Sequence, residues 1–203
     1  MDTKVNLALF DFDGTITHKG SFPDFMIYVS GIHKSIRLKI LLFIPVYIGY
    51  GFGIISVGRF QELLLTFFFK GWEKSYFDEL AEKYTKTKLN KIIRPIALEQ
   101  INNHKQNNDK IVVVSASPDS WIKKWCSEHE LDLICSDIVI QNGLITGKFD
   151  GECCNGVEKV KRIQERYRID EYDRIYAYGD SSGDLEMLKL ADIAYYRWEK
   201  KKY

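Results

Sequence analysis

The spacing of apolar residues changes twice along the chain and divides it into three parts. Residues 5–10 (VNLALF) form a short apolar run that ends at acidic and glycine residues, which predicts a buried β-strand. From about residue 22 to residue 90 the apolar positions recur at helical spacing, so this part is predicted to be entirely helical. Beyond Pro95, helix-like and strand-like segments alternate.

The alternating part predicts a fold class. Its predicted order is helix 96–104, strand 111–114, helix 121–130, strand 131–135, a hairpin turning at Asn142-Gly143, helix 157–167, strand 174–178, helix 185–191 and strand 193–195. Strands that alternate with helices pair in parallel, so the sequence predicts an α/β fold with a doubly wound parallel sheet. The helical part is then an all-helical insertion after the first strand.

One stretch of the helical part has an unusual composition. Residues 40–58 carry no charge and are flanked by Lys39 and Arg59. A membrane span needs about 20 apolar residues, but Pro45 and the glycines that follow it predict that any single helix is interrupted here. The favoured interpretation is a buried or membrane-facing helical segment.

Composition narrows the class of partner and the cellular setting. The chain has 29 Lys and Arg and 28 Asp and Glu, a formal net charge of +1, so we expect no nucleic-acid partner. The cysteines lack zinc-ligand spacing, and the first residues lack a cleavable signal pattern. We expect a cytoplasmic protein, with a peripheral position at the membrane as the alternative.

Polar residues follow the first predicted strand in the run DFDGT at residues 11–15. Alternate residues of an extended segment share a face, so Asp11 and Asp13 are expected on the same side. Gly14 allows the backbone to turn, and Thr15 offers a hydroxyl and an N–H. Ligand sites of such sheets lie beyond the carboxyl ends of the strands.

Two other strand ends and one helix contribute further candidates. Ser115 and Ala116 follow the strand at 111–114, and we expect the Ser115 hydroxyl at a helix N-terminus, where anions are stabilised. The run GDSSGD at residues 179–184 supplies Asp180 and Asp184. The helix at 157–167 supplies Lys159 near its start, with Lys161 as the alternative lysine.

Together these groups predict a phosphoryl-transfer site. Four carboxylates that converge on one crevice repel each other, and a hard divalent cation relieves that repulsion. Oxygen ligands without His or Cys favour Mg²⁺. A hydroxyl and an ammonium add the donors that a phosphate requires.

The same motifs, in the same order, resemble the haloacid dehalogenase superfamily, specifically its phosphoserine-phosphatase-like subfamily. The resemblance implies a core domain of residues 1–17 and 92–203 and a helical cap domain of residues 18–91. It implies a phosphatase, a phosphoric monoester hydrolase that uses Mg²⁺ and an aspartyl-phosphate intermediate. Its substrate would be a small phosphorylated compound, with an apolar group as one option.

The resemblance also implies a role for each candidate residue. Asp11 would be the nucleophile, and Asp13 the acid that protonates the leaving group and the base that activates water. Ser115 and Lys159 would hold the phosphoryl oxygens, together with the other phosphate-binding candidates, Gly14, Thr15 and Ala116. Asp11, Asp180 and the Asp13 carbonyl would bind Mg²⁺, with Asp184 supporting the metal site.

Departures from the subfamily pattern leave alternatives open. Phosphoserine phosphatases carry a glutamate nine residues after the nucleophile, whereas this chain has Gly20, so phosphoserine is not the expected substrate. The stretch from Gly20 to Arg59 also resembles the phosphatidylglycerophosphatase C type, which implies a membrane-associated lipid-phosphate phosphatase. A phosphotransferase and a non-catalytic binding module on the same fold are further alternatives.

Overall fold

The computed structural model describes residues 5–203, apart from the side chain of Leu38. The strands are β1 (Leu7–Phe10), β2 (Lys110–Pro118), β3 (Asp132–Ser136), β4 (Ile138–Gln141), β5 (Leu144–Phe149), β6 (Ile175–Gly179), β7 (Ile193–Tyr196) and β8 (Glu199–Lys201). The helices are α1 (Ser21–Ile32), α2 (Lys34–Gly51), α3 (Val57–Phe69), α4 (Lys74–Thr87), α5 (Pro95–Gln106), α6 (Asp119–Glu128), α7 (Val157–Arg166) and α8 (Leu185–Leu190).

The central sheet has the order β3-β2-β1-β6-β7-β8, parallel from β3 to β7, with β8 antiparallel at the edge. Strand β1 lies in its middle and is buried along its whole length. Leu7 and Leu9 face one apolar cluster with Ile163 of α7, whereas Ala8 and Phe10 face the other. Both faces are therefore covered, as the predicted doubly wound sheet requires.

Helices α1 to α4 follow β1 and confirm the predicted all-helical insertion. Aromatic rings join the insertion to the rest of the fold. The ring of Phe25 in α1 stacks on Trp121 of α6, with 4.8 Å between centroids, and meets Phe77 of α4 edge-on at 5.4 Å. Packing of this kind holds the insertion over one face of the sheet.

The predicted interruption at Pro45 is wrong, because α2 continues through Pro45 and Gly49 and ends at Gly51. Proline removes one backbone donor from the helix, and the carbonyl that loses its partner belongs to the residue four positions earlier. That residue, Leu41, is 63% exposed, so solvent can replace the lost hydrogen bond. Within residues 5–203, no helix combines the length and apolar character needed to cross a membrane.

The predicted hairpin is present as β4 and β5, and it contacts the helical insertion. Asn142 and Gly143 have φ of 52° and 78°, as a tight hairpin turn requires. The Ile145 N–H donates to the Trp72 carbonyl (2.9 Å), and the Thr66 hydroxyl donates to the Gly147 carbonyl (3.0 Å). The hairpin, which lies in the second half of the chain, is therefore a second contact between the helical insertion and the rest of the fold.

One further expectation needs correction, and one strand was not predicted. Ser115 does not lie at a helix N-terminus, because β2 continues to Pro118 and α6 begins only at Asp119. The chain ends in a short edge strand, β8, which pairs antiparallel with β7 and whose residues are all exposed. Its connection turns at Arg197 and Trp198, with φ of 52° and 67°, and neither residue type signals such a turn in sequence.

Candidate active site

Asp11 lies at the carboxyl end of β1, in the crevice where the parallel strands end. It is 6% exposed, and one of its carboxylate oxygens accepts a hydrogen bond from the Lys159 ammonium at 2.6 Å. Burial raises the pKa of Asp11, and the nearby Asp184 carboxylate raises it further, while Lys159 opposes both effects. A second positive charge beside Asp11 would relieve this strain.

Lys159 is the lysine that the fold brings into the crevice. Its side chain is 1% exposed, and its ammonium donates to Asp11, to Asp184 (2.7 Å) and to the Val114 carbonyl (2.8 Å). Burial opposes its charge, but the two carboxylates outweigh burial and raise the pKa of Lys159. Lys161, the alternative lysine, is 63% exposed and pairs with Glu158 on the surface.

The Asp13 carboxylate has partners of its own. One oxygen accepts from the Ser21 N–H at the start of α1, and the other accepts from the Ser117 hydroxyl at 2.5 Å. Burial raises the pKa of Asp13, although the hydrogen bonds from Ser117 and Ser21 oppose the rise. Ser117 was missed as a site residue, yet its signal was present: it lies two residues after Ser115 on an extended strand, as Asp13 lies two after Asp11.

Gly14 is required by both its backbone and its neighbour. Its φ is +95°, and a Cβ there would lie 2.3 Å from a carboxylate oxygen of Asp180. The Thr15 hydroxyl donates to the other oxygen of Asp180 at 3.3 Å. Burial and the Asp184 carboxylate raise the pKa of Asp180.

Asp184 is held from both sides. One oxygen accepts from Lys159, and the other accepts from the Asp180 N–H (3.1 Å), the Ser181 N–H (3.0 Å) and the Ser181 hydroxyl (2.9 Å). Burial opposes its ionisation, but Lys159 and these donors outweigh burial and lower its pKa. Asp184 is therefore a fixed anion that orients Lys159 and the turn carrying Asp180.

The carboxylates of Asp11, Asp180 and Asp184 form a group that fits a hard cation. Each offers an oxygen, and these oxygens lie within 4.8 Å of one another. Oxygen donors without sulfur or imidazole suit Mg²⁺. The Asp13 carboxylate lies outside this group, because Ser21 and Ser117 hold it.

The phosphate-binding candidates line the same crevice, except for Thr15, which is buried beside Asp180. The Ser115 side chain is fully buried, and its hydroxyl oxygen accepts from the Ser117 N–H at 3.1 Å. Ser115, Ala116 and Gly14 line one cavity of about 440 Å³ together with the aspartates and Lys159. The sequence-predicted residues from three strand ends and from α7 therefore converge on one place.

The opposite wall of this cavity comes from the insertion and was not predicted residue by residue. It consists of His18, Lys19, Gly20, Phe22, Pro23, Tyr47, Tyr50, Val57, Phe60, Gln61 and Leu64. A second, apolar pocket of about 290 Å³ adjoins it and shares Pro23, Tyr47, Phe60 and Leu64 with it. The polar side of the cavity, which we call its floor, consists of the four aspartates, Lys159, Gly14, Ser115 and Ala116. This floor faces a wall that is largely aromatic and apolar.

The fold and this crevice define a doubly wound α/β protein with an acidic site at the strand ends. The chain matches the haloacid dehalogenase-like hydrolase family over residues 8–189, and it belongs to that family. Protein CicA of Caulobacter vibrioides is 33% identical over 197 residues, which cover 94% of this chain and 85% of CicA.

Solved structures share the fold. A protein of unknown function from Bordetella pertussis Tohama I has a TM-score of 0.84 at 18% identity, with 96% of this chain and 90% of that chain covered. A phosphoserine phosphatase, solved as a phospho-aspartyl intermediate analogue, has a TM-score of 0.67 at 21% identity, with 96% and 87% covered. The fold is therefore phosphoserine-phosphatase-like, and the family is one of hydrolases.

Proposed function

We propose that this protein is a Mg²⁺-dependent phosphomonoesterase that forms an aspartyl-phosphate on Asp11. The observation that carries the proposal is the paired arrangement at the end of β1. Asp11 is held by the buried Lys159, while Asp13, two residues on, faces the same cavity and is held by Ser117 and Ser21. A nucleophile and a separately oriented acid are what a two-step transfer needs.

The proposed chemistry has two steps. An oxygen of Asp11 attacks phosphorus while the bond from phosphorus to the ester oxygen breaks, and Asp13 gives its proton to the departing alcohol. Water then attacks the phosphorus of the aspartyl-phosphate, Asp13 takes the proton from that water, and inorganic phosphate leaves with the Asp11 carboxylate restored. The raised pKa of Asp13 is in the direction that a general acid requires.

The remaining residues hold charge during these steps. Lys159 and the donors of Gly14, Thr15, Ser115 and Ala116 are proposed to bind the phosphoryl oxygens. Asp11, Asp180 and the Asp13 carbonyl would hold Mg²⁺, and Asp184 would fix Lys159 and the Asp180 turn. When bound, Mg²⁺ supplies positive charge that stabilises the transferring phosphoryl group.

Residues 18–91 are proposed to act as a cap over this crevice. The cap covers the leaving group rather than the phosphoryl group, because its wall faces the catalytic floor across the cavity. Substrate choice would then depend on the cap, and the reaction on residues 1–17 and 92–203.

The test is phosphate release from an aryl phosphate with and without Mg²⁺, for the wild type and for Asp13→Asn. We expect Mg²⁺-dependent release in the wild type and a loss of about 10²–10⁴-fold in Asp13→Asn. Calorimetric Mg²⁺ affinity should be retained, since Asp13 is proposed to offer only its carbonyl. Asp150→Asn, an exposed aspartate outside the cavity, is the control.

Three other results would support different assignments. Loss of Mg²⁺ affinity in Asp13→Asn would overturn the assignment of its carbonyl as the ligand. Phosphorylated alcohol in place of inorganic phosphate, when an alcohol is added, would favour a phosphotransferase. No turnover of any phosphate, with Mg²⁺ affinity intact, would favour a non-catalytic binding module.

A second candidate, a lipid-phosphate phosphatase at the membrane surface, is favoured by the exposed face of α2. Leu41 and Leu42 are 63% and 66% exposed, and Phe52 and Ile54, just after α2, are 79% and 80% exposed. Residues 25–61 contain no Asp or Glu but four cations, Lys34, Arg37, Lys39 and Arg59. Apolar and basic surface together suit an anionic lipid bilayer.

The apolar pocket beside the cavity fits the same candidate, because it could receive part of an acyl chain while the phosphate lies at Asp11. Co-sedimentation with vesicles containing phosphatidylglycerol tests it. We expect binding that Leu41→Asp with Leu42→Asp removes and that Val157→Asp, an equally exposed site on α7, leaves unchanged. No binding by the wild type would remove this candidate, and undiminished binding by the Leu41→Asp with Leu42→Asp variant would show that the exposed face of α2 is not the contact.

A further inference from the structure

Ser21, the first residue of α1, connects the proposed acid Asp13 to the interior of the protein. Its backbone N–H donates a hydrogen bond to one carboxylate oxygen of Asp13. Gly20, the residue before α1, has no side chain that could cap the helix, so the Asp13 carboxylate accepts from a helix N–H that would otherwise lack a partner. The position of Ser21 therefore fixes one of the two oxygens of Asp13.

The other polar groups of Ser21 are held as well. Its side-chain oxygen accepts from the indole N–H of Trp121 at 2.8 Å, and its carbonyl accepts from the Tyr84 hydroxyl at 3.3 Å. Ser21 is fully buried. A serine buried among aromatic rings lowers stability unless its polar atoms are paired, and these partners restrict where Ser21 can lie.

Trp121 contacts Ser21 from α6, which lies outside the helical insertion. Its side chain is fully buried, and its ring lies 4.8 Å from the ring of Phe25 and 5.3 Å from that of Phe22, between centroids. Trp121 is not among the described residues that line the cavity. Any effect of Trp121 on the reaction must therefore pass through the residues that it contacts.

The two oxygens of Asp13 are thus held from two sides. Ser117 of β2 donates to one, and Ser21, with Trp121 behind it, donates to the other. A carboxyl group that loses one of these contacts can rotate about its bond to Cβ, and its proton is then turned away from the departing oxygen. Such losses are large, since a displacement of about 1 Å can lower a rate about 10²-fold.

We propose that Trp121 is a positioning residue for proton transfer to the leaving group: through its hydrogen bond to Ser21 it holds the Asp13 carboxyl in the orientation that protonates the departing oxygen. The proposal rests on the proposed phosphomonoesterase function and adds a residue to its first step. In that step Asp11 forms a bond to phosphorus, the bond from phosphorus to the ester oxygen breaks, and Asp13 gives its proton to that oxygen. An alkoxide leaving group needs this proton, whereas a nitrophenolate is stable enough to leave without it.

The experiment compares 4-nitrobenzyl phosphate with 4-nitrophenyl phosphate, which share a ring and differ in the leaving oxygen. The readout is kcat/KM, because it covers the steps up to departure of the alcohol and excludes hydrolysis of the aspartyl-phosphate. Trp121→Phe keeps a ring in place and removes the N–H, so it should lower the ratio of kcat/KM for the benzyl ester to that for the phenyl ester about tenfold. Ser21→Ala removes the accepting oxygen and should lower the ratio equally, and the double variant should lower it no further.

Trp125→Phe is the matched control. Trp125 lies on the same helix and is equally buried, but its indole N–H has no hydrogen-bond partner among the described residues. This variant should lower the Tm, as Trp121→Phe does, and leave the ratio at its wild-type value.

Three results would overturn the proposal. Equal losses on both esters in Trp121→Phe would assign Trp121 a structural role, and so would the same change of ratio in Trp125→Phe. If Trp121→Phe does not fold, the ratio in Ser21→Ala decides, and an unchanged ratio there overturns the proposal. Release of phosphate from neither ester by the wild type would refute the phosphomonoesterase itself, and with it the role of Trp121.

Discussion

The floor and the wall of the cavity are built in different ways. On the floor, each charged group is held by named partners: Lys159 by three acceptors, Asp184 by four donors and Asp13 by two. On the wall, rings pack on rings, and the buried Gln61 Oε1 has no hydrogen-bond partner among the described residues. We expect the charged groups, with their fixed partners, to carry the chemistry and the packed rings to contact the ligand. We therefore expect changes in the wall to alter the choice of substrate and to leave the reaction intact.

The largest effect is expected when Lys159, the cation of the floor, is removed. Lys159→Ala should lower kcat/KM by about 10²–10³-fold, because it removes the ammonium that is proposed to bind the phosphoryl oxygens. It should also lower the free energy of unfolding by about 3–5 kcal/mol, because buried Asp11 and Asp184 lose their counter-charge. Steady-state kinetics and urea unfolding would measure both. Lys161→Ala is the matched control, and a larger loss there than at Lys159 would contradict the assignment.

A methyl group added to the floor tests whether close approach, rather than backbone strain, matters at Gly14. Gly14→Ala should lower kcat/KM by about 100-fold, because its Cβ would displace the Asp180 carboxylate. Gly151→Ala is the control, since Gly151 also has a positive φ (+78°) but has nothing within 4 Å of an added Cβ. Both variants should lose about 1–2 kcal/mol of stability. Comparable activity losses in the two variants would indicate that strain alone is responsible.

A substitution in the wall should alter which substrate is preferred and leave phosphate binding on the floor unchanged. Tyr47 is 57% exposed and lines both the cavity and the apolar pocket. Tyr47→Ala should lower kcat/KM for octyl phosphate about tenfold, the effect of losing one aromatic contact. Inhibition by inorganic phosphate should not change. Phe52→Ala, exposed and outside both cavities, is the control; weaker phosphate inhibition in Tyr47→Ala would show that wall and floor are not separate.

The smallest effect is expected at an ion pair remote from both floor and wall. Burial opposes ionisation of Asp132, but hydrogen bonds from Lys110 (2.8 Å) and Tyr167 outweigh burial and lower its pKa. Because the pKa of Asp132 is lower in the folded state, this group stabilises the fold at pH values above its unfolded pKa of about 3.9. That stabilisation is lost as the pH falls through the folded pKa. Asp132→Asn should therefore cost under about 1 kcal/mol at pH 7, and the difference should shrink on acidification. Urea unfolding of this variant and of Asp150→Asn measures it; a difference that grows as pH falls would contradict the sign.

The floor could be predicted from sequence because its residues occur in short runs at strand ends. Asp11, Asp13, Asp180 and Asp184 follow strands whose period is clear, and parallel strands bring their carboxyl ends together. Lys159 lies near the start of a clearly predicted helix, α7. The β4–β5 hairpin was predictable for a similar reason, since Asn142-Gly143 selects its turn locally.

The wall could not be predicted in this way because long-range packing decides it. Pro45 was expected to interrupt a helix, and only the exposure of Leu41 in the folded chain shows why it does not. The contact of the hairpin with Trp72 has no local signal, and neither does strand β8. Helical period indicated that Gln61 belongs to an amphipathic helix, but only the fold shows that this residue lines the candidate active-site crevice.

The central claim is that Asp11 becomes phosphorylated, and acid-quenched peptide mapping during turnover of an aryl phosphate with Mg²⁺ tests it most directly. We predict a phosphoryl group on the peptide carrying Asp11, absent from Asp11→Asn. It should accumulate in Asp13→Asn, because an aryl leaving group needs little protonation whereas attack by water needs the base. Rapid phosphate release with no phosphoryl group on Asp11, or a phosphoryl group on another residue, would contradict the account.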